Sequence, residues 1–187
     1  IESSGAHSEA GPPQVHRRWP AEWEPHRATW LSWPHNNETW PDELDSVEDA
    51  FCEIVRAIVP GEIVEIHVND VPMANRVRER LRGAGVEALD RVRFRGVPTN
   101  DAWVRDHGGI FVFETDRSGG DGRSEFASIA ESAGRAQPQR PGRRIVLDFE
   151  FDAWGGKYPP WELDDRVAEQ MAQVLRLPRE RIDLVLE

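Results

Sequence analysis

Between Leu44 and Val68 the hydrophobic period of the sequence changes abruptly, and this change constrains the fold more than any other feature. Leu44, Val47, Phe51, Ile54, Val55 and Ile58 recur at helical spacing until Pro60-Gly61 ends the run, and Thr39 with Asp42 is placed to cap its start. Ile63, Val64, Ile66 and Val68 then form a short β-branched strand closed by Asn69-Asp70. A second helix is predicted from about Pro72 to Arg82 around Met73, Val77 and Leu81, and Gly83 and Gly85 stop it. Val92 and Phe94 predict another strand, and Ile110 to Phe113 a further one. Later, Ile145, Leu147, Phe149 and Phe151 alternate with Val146, Asp148 and Glu150. A third helix from about Leu163 to Leu175 and a last strand through Ile182, Leu184, Val185 and Leu186 complete the pattern. Strands and helices alternate without an exact sequence repeat, which predicts an α/β domain.

The flanks of this pattern differ in composition. Residues 1–18 are small, polar and rich in Pro and Gly, and read as a disordered lead, with order beginning near Trp19. Residues 114–143 are rich in Gly, Ser, Arg and Pro and read as an exposed, flexible insertion in one domain spanning 19–187. A net charge of −11 disfavours a nucleic-acid partner and favours cationic ligands. No run approaches the roughly 18 apolar residues of a membrane span, and the first residues have no apolar leader core. A soluble, cytoplasmic protein with no membrane partner is expected. The single cysteine, Cys52, excludes an internal disulfide and any CxxC metal site, and it fits a reducing compartment. Its place beside Phe51 in the first helix marks it as a small buried thiol rather than a nucleophile. The six histidines show no metal-ligand spacing, and Gly83-Ala84-Gly85 ends a helix instead of opening one, so neither a metal nor a nucleotide cofactor is expected.

Chemistry concentrates in Thr99-Asn100-Asp101-Ala102-Trp103-Val104-Arg105-Asp106-His107-Gly108-Gly109, between two predicted strands. Two carboxylates, an amide, an arginine and an indole crowd a loop where apolar packing does not need them. A planar guanidinium presents fixed N–H donors that a carboxylate can accept in pairs while an aromatic face covers the cation, and Asp106 and Trp103 suit those roles. The residue types alone also allow Asp106 to pair with Arg105 or cap the turn while Trp103 packs in the core, since loop Asp and Trp are common for such local reasons.

Three blocks decide between these readings. Pro20-Ala21-Glu22-Trp23-Glu24-Pro25-His26, Thr29-Trp30-Leu31-Ser32-Trp33-Pro34 and Thr99 to Asp106 resemble, in order and spacing, the opening blocks of the agmatine deiminases, which group with bacterial peptidylarginine deiminases. Phe151-Asp152-Ala153-Trp154-Gly155-Gly156 resembles that family's Phe-Asn-Ala-Trp-Gly-Gly block, with Asp152 in place of the usual Asn, and Val185-Leu186-Glu187 resembles the start of its Leu-Glu-Gly-Gly block. The resemblance implies a pentein fold, a five-fold pseudo-symmetric ring of ββαβ units, of which this chain supplies the N-terminal part. It also implies hydrolysis of a small cationic guanidino substrate: a cysteine thiolate attacks the guanidinium carbon, ammonia leaves, and water releases a ureido product. Carried over by position, Asp106 and Glu187 are the catalytic-site carboxylates that hold the guanidinium, and Trp103 lines the same pocket. The family's histidine and cysteine would lie beyond residue 187, so the chain alone is expected to be inactive. Where the family more often has a small residue and then a proline, this chain has His107 and Gly109; His107 is expected behind the site or facing solvent. His26 and His35 are expected in turn and packing roles.

The function implied is conversion of agmatine to N-carbamoylputrescine and ammonia in putrescine biosynthesis. Alternatives are a peptidylarginine deiminase of the same family, a non-catalytic fragment that binds cationic amines, and, from the eight tryptophans alone, an aromatic carbohydrate- or peptide-binding domain. A ring cut partway would expose a strand edge and an apolar interface, so association, including homo-oligomerisation, is expected of the chain by itself.

Overall fold

The structure is a computed structural model and describes residues 15–116 and 142–186. It contains two sheets. The first joins β2 (Ala28–Ser32), β3 (Ile63–Val68) and β4 (Val92–Gly96), all parallel, in the order β2-β3-β4. Parallel neighbours need long crossovers, and α1 (Leu44–Ile58) and α2 (Val71–Gly83) supply them. The second sheet has the order β1-β5-β6-β7, from Val15–Arg18, Ile110–Asp116, Arg143–Glu150 and Arg179–Val185. Its first two pairings are antiparallel and the last is parallel, bridged by α5 (Val167–Leu175).

The predicted elements recur with small shifts. Helix α1 buries Glu48, Cys52 and Val55 along one face and stops at Pro60-Gly61 as its period requires. Its start is a correction. Glu43 is the N-cap with no side-chain cap, and the Thr39 hydroxyl instead donates to Asp101 across the molecule. A tertiary carboxylate has taken the hydroxyl that local capping would have used. Helix α2 is capped by Asp70, whose Oδ1 accepts the Met73 amide at 2.7 Å. The third helix begins as a 3₁₀ turn at Asp164–Arg166 and becomes α-helical only at Val167.

The flanks require correction at their edges. Strand β1 pairs with β5 from Val15 onward, so order begins before Trp19. Arg17 in β1 also forks Glu114, with bonds of 2.9 and 3.0 Å, and reaches Glu180 at 2.9 Å. Main-chain pairing and cross-sheet charges hold a segment that its composition assigned to a disordered lead. Strands β5 and β6 likewise reach into the expected insertion, to Asp116 and from Arg143, and the rest of that stretch lies outside the described residues. Strand β2, five residues long, was absent from the periodic pattern.

Alternation along β3 splits burial into two kinds. Val64, Ile66 and Val68 face α1 and α2 in the main apolar cluster, with Trp33, Val55, Val77 and Leu81. Glu65 and His67 point to the other side, beside Trp30, Ser32, Arg93 and Arg95 of the flanking strands, and are just as buried. A smaller apolar cluster of Val97, Val167 and Met171, with Trp30 and Phe111 against it, ties the two sheets together. Gly109 permits the close approach: a Cβ there would sit 2.4 Å from Val146 Cγ1.

Candidate active-site cavity

The chain leaves β4 at Gly96 and forms the loop Thr99–Trp103 before the short helix α3 (Val104–His107). Asn69 fixes the start of this loop, accepting the Thr99 N–H at 2.9 Å and donating to its carbonyl at 3.2 Å. A second segment, Phe151–Pro160, contains the short helix α4 (Ala153–Gly156) and approaches from the other sheet. Ala153 and Trp154 both have positive φ, 55° and 58°, which costs roughly 1–2 kcal/mol each for residues with a Cβ. Asp152 Oδ1 holds this turn by accepting the Gly155 N–H at 2.7 Å. Only an acceptor oxygen is needed there, so an aspartate fills the place of the family's usual asparagine without losing that bond.

Between these segments lies a cavity of about 830 Å³. Its wall is an aromatic chain: Trp103 to Trp154 at 6.3 Å between ring centroids, then Trp154 to Phe151 at 5.5 Å and to Tyr158 at 5.8 Å. Trp40, which does not line the cavity, packs against Trp103 at 5.6 Å. Glu38, Asp101 and Asp164 also line it, against one cation, Lys157, which lies over the Tyr158 ring. An aromatic wall with an excess of carboxyl groups favours a cation with an apolar stem. Burial pushes the Asp164 carboxyl up to about 7, with Asp101 adding to the rise, while the backbone N–H groups it accepts from Asn100 and Asp101 oppose it.

The residues singled out from sequence fall differently. Trp103 lines the cavity and is partly exposed. Asp106 is half-buried one helical turn further on, its N–H bonded to the Trp103 carbonyl at 3.0 Å, and is not among the residues lining this cavity. Glu187 lies outside the described residues. His107 does not face solvent: it is buried, with Nε2 3.2 Å from Ser32 Oγ and its ring edge-on to Phe151. Ser32, Asp164 and Phe151 close around a side chain that loop position alone left open. His26 closes a local turn at the Glu22 carbonyl, 2.6 Å away, and His35 packs between the Trp33 and Thr99 carbonyls. Cys52 is buried in the apolar cluster, and burial pushes its thiol up. Among the described residues no group of three or more His, Cys, Asp or Glu is placed to hold a metal, and no helix is long and apolar enough to cross a membrane.

Sequence reasoning missed Ser32, His67 and Asp164. Ser32 Oγ lies 3.0 Å from His67 Nδ1 as well as 3.2 Å from His107 Nε2, so one hydroxyl joins two buried imidazoles. Burial lowers His67 to about 4; burial, with His67 nearby, lowers His107 to about 3. Ser32 closes β2, and His67 follows Glu65 as a second polar residue in a strand of Val and Ile; this was the signal available in the sequence.

Comparison with known proteins places this geometry. The chain is 31% identical over 175 residues to the agmatine deiminase of Pseudomonas aeruginosa (strain LESB58), covering 91% of this chain and 39% of that protein. It is 30% identical over 172 residues to the agmatine deiminase of Medicago truncatula, again over 39% of that protein. The chain thus spans about two fifths of the length of the curated relatives it matches. Among solved structures it is similar to the agmatine deiminase of Enterococcus faecalis, with a TM-score of 0.64 and 25% identity over 89% of this chain and 38% of that one. It shares its fold with a substrate-bound agmatine deiminase of C. jejuni, with a TM-score of 0.67 and 22% identity over 98% of this chain and 44% of that one. The α/β architecture is therefore that of the agmatine deiminases, the pentein arrangement, in part. Since residues 18–187 match the sequence model of the Porphyromonas-type peptidyl-arginine deiminases, nearly the whole of the described structure, cavity included, belongs to that family.

Proposed function

We propose that residues 19–187 are the N-terminal portion of an agmatine deiminase-type C–N hydrolase, and that they build its guanidinium-binding wall. The observation that carries this reading is the cavity itself, an aromatic chain through Trp103 and Trp154 with three carboxyl groups against one ammonium. The substrate is a small guanidino cation, agmatine, converted to N-carbamoylputrescine and ammonia in cytoplasmic putrescine biosynthesis. Asp106 and Glu187 are assigned to the guanidinium N–H groups by the family resemblance and not by the cavity lining, which Asp106 does not join, and the Trp103 face covers the cation. The covalent step needs a thiolate at the guanidinium carbon. Cys52, the one cysteine of these 187 residues, is buried in the α1 face and not at the cavity, so these residues bind substrate and do not turn it over. The family match names peptidyl-arginine deiminases, which supports a second reading in which the ligand is an arginine side chain within a peptide.

Calorimetric titration with agmatine and with benzoyl-arginine amide separates the two readings by which ligand binds more tightly. Asp106→Asn turns an acceptor oxygen into a donor facing substrate donors and is expected to weaken the preferred ligand by about 2–5 kcal/mol with little change in thermal stability. Loss of folding in Asp106→Asn, with unchanged affinity in the folded fraction, would make Asp106 a structural cap. Ureido product that disappears on Cys52→Ala would overturn the assignment of the nucleophile.

A further inference from the structure

Asp164 belongs to the turn that opens α5, yet its carboxyl serves the opposite wall of the cavity. Its Oδ1 accepts the backbone N–H of Asn100 at 2.7 Å and that of Asp101 at 3.3 Å. The contact is reciprocated, because Asn100 Oδ1 accepts the N–H of Leu163 at 2.9 Å. The neighbouring Asp165 accepts the Phe151 N–H at 2.9 Å and is held in turn by Arg181 at 3.0 Å. One turn thereby grips both the loop that carries Trp103 and the start of the segment that carries Trp154. Asp164 is 2% exposed, and on its inner side His107 Nδ1 lies 3.7 Å from Oδ1, buried and without a hydrogen bond. Behind it, Ser32 Oγ and His67 continue the polar line into the β2-β3-β4 sheet.

We infer that Asp164 is a positioning residue: by clamping the Asn100 and Asp101 amides on one oxygen, it fixes the Trp103 wall against the Phe151–Trp154 wall and sets the cavity's grip on its guanidino ligand. The choice of ligand rests on the function proposed above; the clamp itself does not. Two amides converging on one buried oxygen need an acceptor, not a charge, so an amide side chain serves as well as a carboxylate. An alanine would leave both amides unsatisfied, and the loop would have to move to reach water.

Hydrogen exchange of the full chain without ligand tests the clamp. In Asp164→Ala the Asn100 and Asp101 amides are expected to exchange at least about tenfold faster, whereas Asp164→Asn stays close to wild type. Agmatine affinity, measured in parallel, is expected to fall about tenfold in Asp164→Ala and to recover in Asp164→Asn. Wild-type protection in Asp164→Ala overturns the inference, as does equal loss of protection in Asp164→Ala and Asp164→Asn. If Asp164→Ala does not fold, Asn100→Ala removes the reciprocal bond, and unchanged Leu163 protection there counts equally against it. Wild-type protein that shows the exchange pattern but does not bind agmatine contradicts the proposed function and leaves the clamp standing. Tight agmatine binding that no clamp variant weakens removes the positioning role.

Discussion

On the helix side of the β2-β3-β4 sheet, Val64, Ile66 and Val68 are buried among apolar side chains of α1 and α2. On the other side Ser32, Glu65 and His67 are buried as completely, but among polar groups. Dispersion and the removal of apolar surface from water hold the first face, and they work with any well-fitting hydrocarbon. The second face is stable only where each polar atom finds a partner. Glu65 does so with Arg95, through bonds of 2.6 and 3.1 Å. Its counterpart in the second sheet is Asp148, fully buried and held by Arg179 at 2.7 Å and Arg181 at 2.8 Å. In both sheets a buried carboxylate on one strand meets two arginines spaced two residues apart on its parallel neighbour. His67 Nε2 and His107 Nδ1 are exceptions, buried without hydrogen bonds. A sheet with one dry face and one wired face separates stability from function: the dry face holds the fold, and the polar face leads toward the cavity.

The largest test of this contrast is Ile66→Ala, which empties a fully buried site in the apolar cluster and should cost about 2–5 kcal/mol in denaturant unfolding. Ligand affinity of the folded fraction should not change; a change would show that the two faces are coupled. Glu65→Ala acts on the polar face. It leaves Arg95 without its carboxylate, but that arginine is partly exposed and can be rehydrated, so a loss of about 1–3 kcal/mol is expected, below the range for fully buried pairs. A larger loss than that of Ile66→Ala would reverse the assignment of stability to the dry face.

The smallest effect per step is the response to pH. His67 and His107 bind protons in the unfolded chain below their ordinary value of 6.5, but in the folded chain only at about 4 and 3. Acidification from 6.5 toward 4 therefore favours unfolding by two protons. Asp164 has the opposite sign, because its folded value of about 7 exceeds the ordinary 3.8, so over the same window the folded chain holds one proton that the unfolded chain lacks. The balance is one proton taken up on unfolding, and stability should fall by about 1.4 kcal/mol per pH unit on acidification. Denaturation midpoints at pH 6.5, 5.5 and 4.5 check this, and Asp164→Asn should steepen the slope. A flat profile would mean that the polar face is not the seat of the pH response.

The sequence by itself determined the elements whose period is local. Helices α1 and α2 and strands β3 and β4 stand where apolar spacing and Pro or Gly punctuation put them, because helical and strand periods are properties of neighbouring residues. The loop with Trp103 was legible as chemistry because charged and aromatic residues crowd where packing does not require them. Only the tertiary structure decided the rest. Thr39 gave up its cap for Asp101, β1 formed through pairing with β5, and Asp164, which reads as one more acid on a helix face, turned out to grip a loop 63 and 64 residues away. Each of these outcomes rests on a partner distant in the chain, which no local preference specifies. Local preference fixes which groups are available; proximity in the folded chain fixes which of them meet.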